Sequence, residues 1–233
     1  DIFGEMNRHE EAIKNYQMAY AFNPDHPFLI GDMIHAKTKV CDWNNVDHDL
    51  KKLEDKILNR NKSSAPYAAT TLFDSPKLLL EIAKIWQAQF EQKKIENPKF
   101  KKKKKEKIKL GFSADFRTHA MGHLMVQMLE SHDKSLFEIH GFYFGPPPDE
   151  KDLLQKRILK TFDSFNDIGN DNDESVINLS KKMEIDIAID LMCHTGNRNR
   201  FGIFLKKLAP IQINFLGYPG TSGSKLFDYI VAD

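Results

Sequence analysis

Two polar loops, each directly after an apolar run, carry the side chains best suited to chemistry. Residues 115–125 read DFRTHAMGHLM and follow the apolar run 108–112, while residues 216–223 read LGYPGTSG and follow the run 211–215. In parallel α/β sheets, ligands bind at the carboxyl ends of the strands. Both loops are therefore predicted to lie on one edge of a sheet and to line one cleft.

The first loop contains two histidines, His119 and His123, at the start of an expected helix. The amino end of a helix favours negative charge, and an imidazole there suits proton handling or hydrogen bonding near neutral pH. We therefore predict a ligand-contacting or acid–base role for His119 and favour a supporting or core position for His123. Asp115 and Ser113 could equally be loop or cap residues. No metal site is predicted, because Asp115 is the only acidic neighbour and no cysteine is near.

Further candidates follow the third and fourth apolar runs of this region. His194 and Thr195 come directly after the run 185–191, again on the expected cleft side. Arg200 could pair with a phosphate or a peptide carboxylate, although loop arginines are commonly just solvated. Three glycines in the loop 216–223 permit positive φ and close approach of a phosphate or sugar. Turn chemistry alone also explains much of that composition, and the P-loop lysine is absent.

The elements that must position these residues begin after a lysine run. Strands rich in β-branched and aromatic residues are predicted at 108–112, 137–144, 185–191, 211–216 and 227–231, with helices at 124–130, 153–165 and 174–183. This order predicts an α/β, Rossmann-like domain with a mainly parallel sheet covered on both faces. A Gly-x-Gly-x-x-Gly turn is missing after the first strand, which argues against the dinucleotide-binding version of the fold.

The residues before the lysine run have helical periodicity. One helical stripe ends at Pro24 and resembles the second half of a tetratricopeptide repeat, although an ordinary amphipathic helix has the same pattern; it comprises Ala12, Ile13, Tyr16, Ala19 and Tyr20. The predicted division is the end of a repeat region at 1–27, a helical linker region at 28–98, a lysine-rich linker at 99–107 and the α/β domain at 108–233. Both chain ends are interpreted as cut ends.

Composition narrows the possible functions and partners. The 233 residues carry a formal net charge of +1, which gives no global attraction to nucleic acid or to anionic membranes. The run Lys101–Lys105 is interpreted as a solvated linker. Two distant cysteines, Cys41 and Cys193, indicate neither a disulfide framework nor a zinc site, so the cytosol is the expected compartment. No apolar stretch approaches the ~20 residues needed to span a bilayer.

Taken together, the motifs resemble the amino-terminal catalytic lobe of the O-linked N-acetylglucosamine transferase and SPINDLY family, glycosyltransferase family 41. The family also includes many bacterial tetratricopeptide-repeat proteins. The resemblance is carried, in matching order and spacing, by the segments 115–125, 190–195, 209–223 and 228–233, with a looser match at Cys41-Asp42-Trp43.

This resemblance implies a GT-B-type lobe, preceded by repeats, in a two-lobed enzyme. The implied reaction is an inverting, metal-independent transfer of a sugar from a nucleotide, expected to be UDP-GlcNAc, to Ser or Thr of proteins. No other cofactor is implied, and acceptor proteins are expected to bind through the repeats. His119 matches the active-site histidine, as a proton-handling or acceptor-orienting residue. The implied donor- or substrate-binding residues are His123, His194, Thr195, Arg200, Tyr218, Pro219, Gly220 and Thr221.

The chain departs from the family pattern at Cys193, where glycine is usual, and at Leu208, where proline is usual. The second lobe, which holds most nucleotide contacts, would begin after Asp233, so the fragment alone is expected to be inactive. One alternative is a SPINDLY-type O-fucosyltransferase, and another is a non-catalytic peptide-binding adaptor. An NAD-type dehydrogenase is disfavoured by the missing glycine fingerprint.

Overall fold

A computed structural model of the chain describes residues 2–90, 100, 106–195 and 200–232. The chain divides into two compact units. The helical unit comprises Asp1–Gln92 with Pro219–Ser224, and the sheet unit comprises Lys93–Tyr218 with Lys225–Asp233. The run Lys101–Lys105, predicted to be a solvated linker, lies outside the described residues.

The helical unit packs around a core of aliphatic side chains. Its helices are α1 (Ile2–Glu5), α2 (His9–Phe22), α3 (Leu29–Lys39), α4 (Val46–Leu58), α5 (Pro66–Ala69) and α6 (Pro76–Gln87). Ile34, Leu53, Ile57 and Ile82 are almost completely buried in this core. The assignment of residues 1–27 to a tetratricopeptide repeat stays a prediction. No described helix combines the length and the apolar character that crossing a membrane requires.

The sheet unit is a six-stranded parallel sheet in which a helix precedes each strand from β2 to β5, which confirms the predicted α/β class. In chain order its elements are β1 (Ile108–Ala114), α7 (Ala120–Glu130), β2 (Phe137–Tyr143), α8 (Leu153–Leu159), β3 (Ser164–Asp167), α9 (Asp173–Met183), β4 (Ile187–Asp190), α10 (Phe201–Leu205), β5 (Ile211–Phe215) and β6 (Tyr229–Val231). The strand order is β3-β2-β1-β4-β5-β6, and every neighbouring pair is parallel.

One prediction about this unit is wrong. The helix expected over 153–165 ends at Leu159, and Ser164–Asp167 forms the edge strand β3 beside β2. A four-residue strand with three polar residues has no β signature of its own. It forms because β2 offers a free edge and because Phe165 packs against Phe162 and Tyr143.

Apolar side chains cover both faces of the sheet, as the sequence pattern predicts for parallel strands. On one face, Phe112 of β1 lies in a cluster with Met125 and Leu129 of α7. On the other face, Phe142 of β2 and Ala188 of β4 cluster with side chains of α9 and α10. Both faces of the sheet are therefore covered, and the loops with the predicted site residues lie at the carboxyl ends of its strands.

The winding of the sheet reverses between β1 and β4. The chain runs outward from β1 through β2 to β3, then returns to place β4 on the other side of β1 and continues to β6. In doubly wound sheets the loops diverge at such a reversal and leave a crevice at the carboxyl ends of the two strands. This crevice is where the fold itself favours ligand binding.

Candidate active site at the carboxyl edge of the sheet

The reversal brings two of the predicted loops side by side. β1 pairs directly with β4, with Ser113 opposite Asp190, so the loops that follow both strands start at adjacent points of the carboxyl edge. β5 is the next strand, and the loop after it leads to Tyr218. The structure therefore gathers four predicted site residues on one edge of the sheet unit: His119, His194, Thr195 and Tyr218.

His119 is the amino-terminal cap of α7. Its Nδ1 accepts a hydrogen bond from the backbone N–H of Met121 at 3.3 Å, and its Nε2 lies 2.8 Å from the carbonyl oxygen of Asp115. An N–H must donate and a carbonyl must accept, so the proton of the neutral ring is on Nε2. Both nitrogens are thus engaged within the chain. Taking a proton from a substrate hydroxyl would require Nδ1 to leave Met121.

Ionic and polar contacts hold the loop around His119. The buried carboxylate of Asp115 pairs with Arg117, with 2.7 Å between Oδ2 and Nε. Thr118 donates to Asp152 through both its backbone N–H, at 2.7 Å, and its hydroxyl, at 2.5 Å. These contacts fix the loop before any ligand binds, which is the preorganisation that a binding site requires.

His123 is exposed on α7, so of the two positions favoured for it the core position is wrong, while the supporting position stays a prediction. Met121, Gly122 and Met125 turn toward the core instead, because their face of the helix meets the sheet. The exposed ring of His123 lies one helical turn beyond His119, whose carbonyl accepts its backbone N–H. A ligand-binding role for His123 stays a prediction.

The turn after β4 holds His194 in a buried position. The ring is only 4% exposed and lies 5.0 Å from the ring of Phe201 and 5.3 Å from that of Tyr218, measured between centroids. Thr195 is half-buried, and its hydroxyl donates to the carbonyl of Met192 at 2.6 Å. Of these two predicted binding residues, Thr195 is therefore the more accessible, and His194 connects two loops.

The loop after β5 packs directly on this turn. A β-carbon added at Gly217 would lie 1.6 Å from the carbonyl oxygen of Leu191, so only glycine allows the approach. Next to it, Tyr218 is buried, and this burial, followed by the nearby Cys193, raises the pKa of its phenol. The phenol of Tyr218 therefore stays protonated at physiological pH, and its ring packs against that of His194.

Pro219, Gly220 and Thr221, the remaining predicted residues of this loop, belong to the helical unit. The Thr221 hydroxyl accepts the backbone N–H of Gly223 at 3.2 Å. Gly223 has a φ of +67°, which is the positive value that the glycine pattern anticipates, and its backbone lies against Ala83. Ligand binding by these residues stays a prediction.

Arg200 is occupied by contacts within the sheet unit. Its guanidinium donates to the carbonyls of Ile168, at 2.5 Å, and Asp171, at 2.9 Å, and it pairs with Asp173 at 3.1 Å. These contacts fasten the loop between β3 and α9 to the start of α10. A phosphate or carboxylate ligand would have to compete with Asp173 for this guanidinium.

We expect Arg200→Lys to lower the free energy of unfolding by about 1–2 kcal/mol in the absence of any ligand. A single ammonium group cannot make all three of the guanidinium contacts described above. Urea titration followed by circular dichroism measures the loss. The matched control is Arg157→Lys, whose partner Glu130 is exposed and whose loss should stay below about 0.5 kcal/mol. Equal losses in the two variants would contradict a structural role for Arg200.

Three buried polar residues lie at or next to the carboxyl ends of the central strands β1, β4 and β5, and the sequence pattern did not single them out as a group. Ser113, considered above as a loop residue, lies inside β1 opposite Asp190 of β4, which lies opposite Asn214 of β5. Register-paired side chains point to the same face of a sheet. Each is at least 96% buried, and within the described residues Ser113 Oγ, Asp190 Oδ2 and Asn214 Nδ2 have no hydrogen-bond partner.

The contribution of Asp190 to the stability of the protein should fall as its carboxyl ionises. Burial raises its pKa from 3.8 to about 6, against two backbone amides that lower it. The folded state then binds this proton more tightly than the unfolded state does, so the contribution of Asp190 to the free energy of unfolding decreases between about pH 4 and pH 6 and stays low above that. The loss is roughly 2–3 kcal/mol.

Asp190→Asn cannot titrate and provides the comparison for this effect. The difference in unfolding free energy between the two proteins should change by that amount between about pH 4 and pH 8. Urea unfolding at both pH values measures it. A difference that does not change with pH would contradict the buried, titrating carboxyl.

The candidate site offers helix N-terminal, imidazole and hydroxyl groups, which can bind a polar or anionic ligand and orient a hydroxyl. Among the residues that the structure describes, no three His, Cys, Asp or Glu side chains are placed to hold a metal ion. The helical unit has a separate pocket of about 290 Å³, lined among others by Asp25, Lys56 and Lys62, which contains none of the predicted site residues.

Comparison with known proteins assigns the sequence of this chain to one family. The model of glycosyl transferase family 41 matches residues 40–233. The probable UDP-N-acetylglucosamine–peptide N-acetylglucosaminyltransferase SEC of Arabidopsis thaliana is 27% identical over 219 residues, which cover 86% of this chain and 22% of that protein. The protein SPINDLY of Oryza sativa, described as probably having the same activity, is 31% identical over 122 residues. These residues cover 52% of this chain and 13% of that protein.

A solved structure shows the same fold. A mutant of the O-GlcNAc transferase from Thermobaculum terrenum superposes with a TM-score of 0.75 at 21% identity, covering 99% of this chain and 45% of that one. The chain thus spans about a fifth of the plant relative SEC and under half of the solved enzyme.

Proposed function

This chain belongs to glycosyl transferase family 41, and on that premise we propose that the protein containing it is a protein O-glycosyltransferase. It transfers a sugar, with N-acetylglucosamine from UDP as the first candidate, to Ser or Thr hydroxyls of proteins. The relatives SEC and SPINDLY bear names that state this donor and a peptide acceptor, which supports the choice. The proposed reaction inverts the anomeric centre, needs no metal ion and takes place in the cytosol.

The observation that carries the proposal is that the loops after β1 and β4 start from adjacent strand ends at the reversal point of the sheet. The first loop leads to the amino end of α7, capped by His119, and the second is the turn that carries Thr195. The positive end of a helix favours the negative charge that develops on a leaving diphosphate. Hydroxyl and imidazole groups at the same edge suit the orientation of an acceptor hydroxyl.

Each predicted site residue has a role in this proposal. His119 orients the acceptor hydroxyl or handles its proton, and the second action requires its ring to leave the cap of α7. Acceptor proteins bind through the repeats. In the sheet unit, the remaining residues contribute to donor or acceptor binding, directly or by packing: His123, His194, Thr195, Arg200 and Tyr218. For Pro219, Gly220 and Thr221, which belong to the helical unit, the family resemblance alone suggests a ligand contact.

The test is a transfer assay on the intact protein that contains this chain. Protein acceptors are incubated with radiolabelled UDP-GlcNAc in EDTA, and the expected result is label on Ser or Thr that β-elimination releases. Label that appears only with an added divalent metal would contradict the metal-independent reaction. Transfer from GDP-fucose alone would identify the SPINDLY-type alternative. Peptide binding without transfer from either donor would identify an adaptor.

A further inference from the structure

We propose that Asp190 is a positioning residue of the crevice, acting through the turn Leu191–Thr195 and sharing its second oxygen with Ser113 and Asn214. The functional part of this inference rests on the proposed transferase activity, and the structural part does not. None of these three side chains is among the predicted ligand-binding residues. Their effect is on where the turn after β4, and with it Thr195, stands relative to β1.

The first oxygen of Asp190 organises the turn. Oδ1 accepts the backbone N–H groups of both Met192 and Cys193, each at 3.0 Å. Cys193 has a φ of +47°, a left-handed conformation that non-glycine residues adopt at a cost. Two amide hydrogen bonds to one buried carboxyl oxygen hold that conformation and set the direction in which His194 and Thr195 leave the strand.

Further contacts connect the turn Leu191–Thr195 to β1 and to the loop after β5. The N–H of Leu191 donates to the carbonyl of Ser113 at 3.1 Å, and the carbonyl of Leu191 lies against Gly217. His194, at the end of the turn, meets the ring of Tyr218. A displacement of the Asp190 turn would therefore move the loops after β4 and β5 together.

The second oxygen of Asp190 is buried without a hydrogen-bond partner among the described residues, as are Ser113 Oγ and Asn214 Nδ2 on the two neighbouring strands. Neighbouring strands lie about 4.8 Å apart, so Ser113 Oγ and Asn214 Nδ2 can reach Oδ2 by rotation of their own side chains. A hydroxyl and an amide are both donors, which is what a carboxylate needs. Buried polar groups are nearly always paired, so this row is suited to tie β1, β4 and β5 together directly beneath the crevice.

The experiment compares the wild-type protein with Asp190→Ala, Asp190→Asn and Asp167→Ala. Asp167 is the matched control, because it also ends a strand and accepts a backbone N–H two residues on, from Gly169 at 2.9 Å, but it lies on the exposed edge strand β3. Amide hydrogen exchange is measured by NMR at Met192 and Cys193 in this chain. Steady-state transfer is measured in the intact protein.

In Asp190→Ala, we expect both amides to exchange about tenfold faster relative to the rest of β4, because they lose their acceptor. In Asp190→Asn, which keeps Oδ1, exchange should stay within about threefold of wild type. In the intact protein, kcat/KM should fall about tenfold in Asp190→Ala and recover in Asp190→Asn, while Asp167→Ala leaves it unchanged. If Asp190→Ala does not fold, Asp190→Ser gives the same comparison, because its hydroxyl is too short to reach both amides.

Unchanged exchange at Met192 and Cys193 in a folded Asp190→Ala variant would overturn the proposal. So would faster exchange accompanied by unchanged transfer, since the turn would then not position anything that the reaction uses. A wild-type protein that transfers no sugar at all would instead refute the proposed function. The exchange measurements would still decide whether Asp190 organises the turn.

Discussion

Replacing Gly217 by alanine should destabilise the sheet unit by more than about 4 kcal/mol, enough to unfold much of it. The new β-carbon would stand 1.6 Å from the carbonyl oxygen of Leu191 and 2.6 Å from its carbonyl carbon. Both atoms are backbone at the end of β4, so no side-chain rotation can relieve the overlap. The loops after β4 and β5 would have to separate, which would also expose the buried rings of His194 and Tyr218.

Thermal and urea unfolding followed by circular dichroism measure this loss. Gly169→Ala is the matched control, because its added β-carbon would meet only Asp167 Oδ1, at 3.2 Å, and other atoms at 3.9 Å or more. Its cost should remain below about 1 kcal/mol. A Gly217→Ala variant as stable as Gly169→Ala would show that the two loops are not packed against each other.

Replacing His119 by asparagine should lower transfer by the intact protein at least about 100-fold while leaving α7 intact. Asparagine is a good helix cap, so its Oδ1 can accept the Met121 N–H that Nδ1 accepts now. It lacks an imidazole, however, and cannot handle a proton. This variant therefore separates the structural role of His119 from its proposed role in the reaction.

His119→Ala completes the comparison. It removes the cap as well as the ring, so it should lose about 1 kcal/mol of stability that His119→Asn keeps, with a similar loss of transfer. Transfer rates per folded molecule and unfolding curves are measured on all three proteins. Wild-type turnover in His119→Asn would exclude the imidazole from the reaction and leave it a helix cap only.

The sequence was sufficient for those parts of the fold that have a local pattern. Runs such as 108–112 and 211–216 predicted the strands within two residues of their observed ends, because short segments rich in β-branched and aromatic residues are typical of strands. β3 was missed because its residues Ser164–Asp167 become a strand only through pairing with β2 and the packing of Phe165. That contribution is tertiary and leaves no periodicity to read.

In the candidate site, too, some features follow from local sequence patterns and others depend on tertiary contacts. Predicting that His119 and Thr195 share an edge required only the order of strands and the rule for parallel sheets. The burial of His194 between Phe201 and Tyr218 depends on loops that meet only after folding. The only trace of the row Ser113, Asp190 and Asn214 in the sequence is one polar residue near the end of each of three predicted strands. Its meaning depends on strand register, which the sequence alone does not give.

The cap formed by His119 makes helix formation and ligand binding compete for one nitrogen lone pair. Any ligand group that donates a hydrogen bond to Nδ1 must displace the N–H of Met121, so the free energy of capping, about 1 kcal/mol, is subtracted from the affinity of that ligand. Linkage is reciprocal, so occupancy at Nδ1 must loosen the first turn of α7 by an equal amount. The amide of Met121 is therefore a built-in reporter whose exchange rate registers whether His119 is engaged by a ligand.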